Sequence, residues 1–209
     1  MNRLRRGLYA VTDGRGGDAL LNLVAALLRG GAVLLQYRAK GVPMGRRREE
    51  STALLGLCRE HRVPLIVNDD LALAFAIGAD GVHLGRDDAT LAEARAALGA
   101  SAIIGVSCYA DLERARAAAA GGADYIAFGS LFPSMTKPEA VPAPLALLGQ
   151  ARHELALPVC GIGGITLDNA GAVVAAGGDL LAVISDLAEA PDPEAHATAY
   201  SALFFPPEP

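Results

Sequence analysis

The sequence predicts a single-domain (β/α)8 TIM barrel, and three observations carry that expectation. Short apolar runs alternate about eight times with longer Ala/Leu-rich segments in a chain of 209 residues, within the lower size range of the fold. The runs are nearly continuous in apolar residues, as in parallel strands covered by helices. Glycines or small residues precede strand after strand, in GGAVLLQ (30–36), GADGVHLG (78–85), GGADYIAFG (121–129) and GGDLLAVIS (177–185), as expected where a glycine closes a helix and turns the chain back.

In order, the eight strand candidates are GLYAVTD (7–13), AVLLQYR (32–38), VPLIVND (63–69), DGVHLG (80–85), AIIGVS (102–107), DYIAFGS (124–130), LPVCGIG (157–163) and DLLAVIS (179–185). Between them, segments such as TLAEARAALG (90–99) and DLERARAAAAGG (111–122) space their charges for one wet helical face and turn Ala or Leu to the other. Periodicity alone does not separate a closed barrel from an open doubly wound sheet. No Pro/Gly/Ser linker or break in composition divides the chain, so one domain covers 1–209, with a core over about 7–204 and a frayed Pro-rich end at 205–209. The connection PSMTKPEAVPAPL (133–145) is long for a β-to-α loop, and such a loop is either functional or disordered.

Composition excludes several classes. The formal charge is −5, Trp is absent and aromatics make up only 5%, so neither a basic stripe nor a stacking platform for nucleic acid is present. Cys58, Cys108 and Cys160 are odd in number, widely spaced and without a CxxC pair, which argues against a disulfide framework and against zinc. The basic start MNRLRR is followed by an apolar run too short for a signal sequence, and no later run approaches a membrane span. A cytoplasmic protein without a membrane partner is expected.

In this fold the site forms at the C-terminal ends of the strands. Polar residues fall there all the way round: Gln36, Arg38 and Lys40 after strand 2; Asn68, Asp69 and Asp70 after strand 3; His83, Asp87 and Asp88 at strand 4; Ser107 at strand 5. Strand 6 leads to Ser130, Ser134, Thr136 and Lys137, and strand 8 ends at Ile184 and Ser185. Along a strand, Gln36, Arg38 and Lys40 share one face. They are either a strand end going to water or one side of an anion clamp.

GIGGIT (161–166) places Gly163 and Gly164 between a strand and a helix N-terminus, where free N–H groups favour an anion. It is not a dinucleotide fingerprint; either the glycines make a tight turn only, or they hold phosphate with Ile184 and Ser185. Asp69 and Asp88 lie at neighbouring strand ends near Arg38, Lys40 and Lys137, and carboxylates with substrate phosphates are how Mg²⁺ is usually held. Asp70 and Asp87 fit helix caps equally well. The loop 132–138 supplies hydroxyls and a lysine, suited to a lid over a leaving phosphate or to an exposed turn. His83 reads as a packed barrel residue, and His61, His153 and His196 as surface residues of helices.

Taken together, LQYRAK, VNDDLALAFAIGADGVHLGRDD, IIGVSC, GADYIAFGSLFPSMTKP, GIGGIT and AVIS resemble the thiamine phosphate synthase family in order and spacing, from Leu8 to Ser185. The resemblance implies a transferase that joins hydroxymethylpyrimidine diphosphate to hydroxyethylthiazole phosphate, giving thiamine phosphate and pyrophosphate with Mg²⁺. By motif, Gln36, Arg38 and Lys40 with Asn68 and Ser107 correspond to the pyrimidine diphosphate pocket, and Lys137 to a diphosphate contact. Asp69 and Asp88 correspond to the Mg²⁺ ligands; Ser134, Thr136, Gly164, Ile184 and Ser185 correspond to the thiazole phosphate contacts. Arg38, Lys40 and Lys137 are the candidate catalytic cations. The chain departs from the family at Gly129-Ser130, where Gly-Pro is more usual, and at Ser134, where Thr is. The rival readings are a thiazole tautomerase of the same superfamily, which lacks the full metal-diphosphate set, and a non-catalytic phosphate-binding barrel. A homo-oligomer is suggested by analogy alone.

Overall fold

A computed structural model describes residues 4–133 and 142–205. Eight parallel strands close into a barrel in sequence order: β1 (Gly7–Val11), β2 (Leu34–Tyr37), β3 (Leu65–Asn68), β4 (Gly81–Leu84), β5 (Ile103–Tyr109), β6 (Tyr125–Phe128), β7 (Val159–Ile162) and β8 (Leu180–Val183). The last strand pairs with the first, Leu8 opposite Leu181, so the sheet is closed rather than open. Helices follow each strand: α1 (Gly17–Arg29), α2 (Met44–His61), α3 (Leu71–Ile77), α4 (Leu91–Leu98), α5 (Leu112–Ala120), α6 (Ala146–Glu154), α7 (Leu167–Ala175) and α8 (Ser185–Ala188), with α9 (Pro193–Ala202) packed on α1.

Two apolar layers result from strands that are hydrophobic on both faces. Outward residues such as Leu8, Leu35, Val67 and Ile126 meet Leu20, Val24, Leu54 and Leu148 of the helices. Inward residues, among them Tyr9, Leu34, Ile66, Tyr125, Cys160 and Leu180, fill the barrel itself. Ile66 is fully buried there, and truncation to Ala would cost roughly 2–5 kcal/mol through lost burial and a cavity. The repeated glycines do what their spacing implies: Gly31, Gly78, Gly122 and Gly177 take positive φ just past α1, α3, α5 and α7.

The strands are mostly shorter than the apolar runs. β2 stops at Tyr37, so Arg38 and Lys40 stand on the loop that follows and their shared face is not a strand property. Strand β5 runs instead to Tyr109, with its register against β6 broken between Ser107 and Tyr109. Asp70 caps α3, accepting from Leu73 N–H at 2.9 Å, whereas α4 is capped by Thr90 and Glu93 rather than by Asp87. His196 is more than a surface residue: its Nε2 lies 2.6 Å from the Asp186 carboxylate, joining α9 to α8. All three cysteines are buried and free, and burial pushes the Cys58 and Cys108 thiols up to about 12. No helix among the described residues is long and apolar enough to cross a membrane.

Candidate active site

The C-terminal mouth is assembled by inward residues of consecutive strands. Gln36, Asn68, His83 and Ser107 come from β2, β3, β4 and β5, each on the interior side of its strand; Gln36 and His83 are buried and the other two half-buried. Register places Gln36 beside Val11 and Asn68 beside His83.

Arg38 is positioned by the buried Thr12. The Thr12 hydroxyl accepts from Arg38 N–H at 2.8 Å and donates to the Arg38 carbonyl at 3.0 Å, continuing the β1–β2 ladder by side chain. Among the described residues the Arg38 guanidinium faces no carboxylate, which leaves its fork of donors for an anion. Lys40 is exposed, and its Nζ lies 3.9 Å from Asp69 Oδ2.

Asp69 and Asp88 meet at the mouth. The Asp69 backbone turns through φ +62° with its N–H on the His83 carbonyl at 2.9 Å, so a left-handed residue directs this carboxylate. Asp88 Oδ2 accepts from Gly85 N–H at 2.6 Å. Burial first, and then the neighbouring Asp88, push the Asp69 carboxyl above its ordinary range, and Lys40 and Asn68 only partly offset this. A half-buried pair of carboxylates that repel each other is a site short of positive charge. Among the described residues no group of three or more His, Cys, Asp or Glu gathers as a metal cluster. A cation here would therefore take two hard oxygen donors and complete its shell with water and substrate phosphate, which suits Mg²⁺.

Beside this pair, a cavity of about 420 Å³ opens between the β2–α2 and β3–α3 loops, bordered by Tyr37, Lys40, Arg47, Asn68 and Asp69. Arg47, which reaches it from α2, bonds Asp70 at 2.8 Å. Arg114 braces the next sector, donating to the Ser107 carbonyl at 2.7 Å and to that of Gly85 at 2.9 Å, so one guanidinium fixes both the β5 end and the Asp88 loop.

Backbone dominates the opposite side. Gly163 and Gly164 both have positive φ, +98° and +64°, and a Cβ on either would overlap Ser130 or the Phe132–Pro133 backbone. Asn169 holds this turn, donating to the Gly164 carbonyl at 2.9 Å and accepting from Thr166 N–H at 2.9 Å. β8 pairs with β7, Ile162 opposite Ala182, so Ile184 and Ser185 emerge beside the glycines at the start of α8. The Gly129–Ser130 peptide is cis, and the Ser130 hydroxyl donates to the Phe132 carbonyl at 2.7 Å. Ser134, Thr136 and Lys137 lie outside the described residues.

Residues that the sequence alone does not single out lie below the mouth. Tyr9 and Tyr125 hydroxyls meet at 2.7 Å inside the barrel, and burial holds both phenols protonated. His83 Nδ1 lies 2.8 Å from Tyr125 Oη and Nε2 lies 2.8 Å from Ser107 Oγ. Burial pushes the imidazole down to about 4, against a small opposing pull from Asp88. Tyrosine at an inward strand position is ordinary core by pattern; the only sequence cue is Gly105 on β5, whose absent side chain makes room for the Tyr125 ring.

Fold and mouth are those of a (β/α)8-barrel enzyme with its polar residues at the strand C-termini. A family model described as thiamine monophosphate synthase matches residues 8–187, and the chain belongs to that family. It is 58% identical to the thiamine-phosphate synthase of Azoarcus sp. (strain BH72) over 95% of this chain and 97% of that one. Identity to the thiamine-phosphate synthase of Thioalkalivibrio sulfidiphilus is 54%, over 95% of each chain. Among solved structures, thiamine phosphate pyrophosphorylase from Pyrococcus furiosus superposes with a TM-score of 0.85 at 35% identity, covering 97% of this chain and 96% of that one. A 3-hexulose-6-phosphate synthase, at 21% identity and a TM-score of 0.69, shares the fold alone. As an enzyme of this family the protein is a transferase of thiamine biosynthesis.

Proposed function

We propose that the enzyme condenses hydroxymethylpyrimidine diphosphate with hydroxyethylthiazole phosphate, releasing pyrophosphate. The observation that carries this reading is the Asp69–Asp88 pair with Lys40 Nζ 3.9 Å from Asp69, on the same rim as an Arg38 guanidinium that faces no carboxylate among the described residues and as the strand ends that carry Gln36, Asn68 and Ser107. A diphosphate laid across Arg38 and Lys40 has its ring end directed down among the inward polar residues. Lys137, by the family motif, adds a third cation from the loop.

Asp69 and Asp88 would hold Mg²⁺, which when bound would supply charge compensation to the departing diphosphate. Arg38 offers bidentate donors to its phosphate oxygens, and Lys40 a point charge at the same end. As the methylene C–O bond breaks, its electron pair leaves with the diphosphate, and charge grows on the oxygens these cations face. The electron-rich pyrimidine stabilises the cation left on the methylene carbon. Gly164, Ile184 and Ser185, with Ser134 and Thr136, hold the thiazole phosphate so that the ring nitrogen faces that carbon and closes the C–N bond. No side-chain nucleophile is required, in keeping with three buried cysteines and an imidazole whose two nitrogens are already bonded.

Incubation of the folded protein with both substrates and Mg²⁺ is expected to yield thiamine phosphate and pyrophosphate in equal amounts. No product above background overturns the reading. The carboxylate pair and the cations beside it favour the synthase over a tautomerase, whose reaction moves a proton and releases no diphosphate.

A further inference from the structure

Four hydrogen bonds link five side chains in a line through the barrel interior. Gln36 Nε2 donates to Tyr9 Oη at 2.6 Å; Tyr9 Oη meets Tyr125 Oη at 2.7 Å; Tyr125 Oη meets His83 Nδ1 at 2.8 Å; His83 Nε2 meets Ser107 Oγ at 2.8 Å. Tyr9 and Tyr125 are shielded from water, at 1% and 0% exposure, so each hydroxyl hydrogen must find an acceptor within the line or carry the desolvation penalty unpaid.

With the Gln36 amide nitrogen toward Tyr9, that condition sets the direction of every bond. The Tyr9 oxygen already receives the Gln36 amide hydrogen, so Tyr9 donates to Tyr125, and Tyr125 in turn donates to His83 Nδ1. The imidazole then carries its hydrogen on Nε2 and donates to Ser107, whose own hydroxyl hydrogen is left to point into the mouth. A doubly protonated His83 does not fit, because Tyr125 would be forced to donate back to Tyr9 and the Tyr9 hydrogen would have no acceptor. Turning the Gln36 amide over reverses all four bonds at once. In either direction the two ends are opposites: one presents an acceptor to the ligand and the other a donor.

We propose that Tyr9, Tyr125 and His83 are positioning residues that lock Gln36 as acceptor and Ser107 as donor, so that the site selects an aminopyrimidine over its 4-oxo counterpart. This rests on the pyrimidine diphosphate reading of the site. An aminopyrimidine edge offers an N–H donor beside an unprotonated ring nitrogen, which the direction set by Gln36 Nε2 on Tyr9 matches; the 4-oxo edge offers a carbonyl beside a ring N–H and meets two mismatches. A site that hydrogen-bonds its substrate rejects the mispaired analogue far more strongly than an apolar one does. Gly105 belongs to the same device, since a Cβ there would overlap the Tyr125 ring and move its hydroxyl out of line.

The test compares kcat/KM for the aminopyrimidine diphosphate and for the 4-oxopyrimidine diphosphate in the wild-type protein and in Tyr125→Phe. The variant keeps the ring and removes one hydroxyl; the preference for the amino substrate is expected to fall at least tenfold, with KM for thiazole phosphate unchanged. If Tyr125→Phe does not fold, Tyr9→Phe cuts the adjacent link and reads the same ratio. A two-bond ¹⁵N–¹H correlation spectrum of the wild-type protein is expected to find His83 protonated on Nε2 only. An unaltered preference in a folded variant, or His83 protonated on Nδ1, overturns the proposal. Absence of thiamine phosphate from the wild-type reaction would instead defeat the function on which it rests.

Discussion

The two halves of the barrel mouth are built from different materials. After β2 to β5 the mouth is made of side chains: a carboxylate pair, two cations, two amides and a hydroxyl. After β7 and β8 it is made of backbone, a Gly163–Gly164 turn at positive φ beside the start of α8. The first half can offset and redistribute large charge, as bond cleavage at a diphosphate demands. The second can only cradle a phosphate in place, as an acceptor substrate demands.

That contrast can be broken by substitutions that address one half at a time. The largest effect is expected for Asp69→Asn, which removes one of the two carboxylates: kcat falls on the order of 10²–10³-fold, a loss typical for an electrostatic group at a reacting centre. Steady-state kinetics at saturating Mg²⁺ read it. Next comes Gly164→Ala, where φ is +64° and the new Cβ would overlap the Phe132–Pro133 backbone; KM for thiazole phosphate is expected to rise about tenfold or more, with stability lower by about 1–3 kcal/mol.

Below the mouth, His83 gives the fold an acid sensitivity. Its folded pKa, about 4, lies below the ordinary 6.5, so the unfolded chain binds a proton that the folded chain does not between those values. Stability is therefore intact above pH 6.5 and declines as pH falls toward 4, by up to roughly 3 kcal/mol for this group. Denaturant melts from pH 7 to pH 4 are expected to fall more steeply in the wild type than in His83→Gln; parallel curves would contradict the assignment. The smallest effect belongs to Asp192→Ala, which removes the N-cap of α9 on the outer wall: about 1 kcal/mol less stable, with unchanged kinetics.

Most of the frame was legible because strand and helix alternate eight times, with a glycine closing several of the helices, and each of Gln36, Asn68, Asp69, Asp88 and Ser107 announced itself as a polar residue near the end of an apolar run or just past it. Barrel closure was not, since the β1–β8 pairing joins residues 180 and 7, and local periodicity carries no such information. Strand alternation also misled at Arg38 and Lys40: the strand ends at Tyr37, and it is Thr12, from the neighbouring strand, that orients Arg38. Tyr9, Tyr125 and Arg114 were hidden for a different reason. Their types are ordinary in a core or on a helix, and their roles arise only from partners 7 to 116 positions away, such as Ser107 for Arg114 and Tyr9 for Tyr125.

The division of the mouth is tested most directly by measuring, in Asp69→Asn and in Gly164→Ala, the binding of each substrate separately by calorimetry in the presence of Mg²⁺. The account predicts a crossed pattern: Asp69→Asn weakens pyrimidine diphosphate and spares thiazole phosphate, and Gly164→Ala does the reverse. Equal weakening of both substrates by either variant, in protein that melts cooperatively, would contradict it.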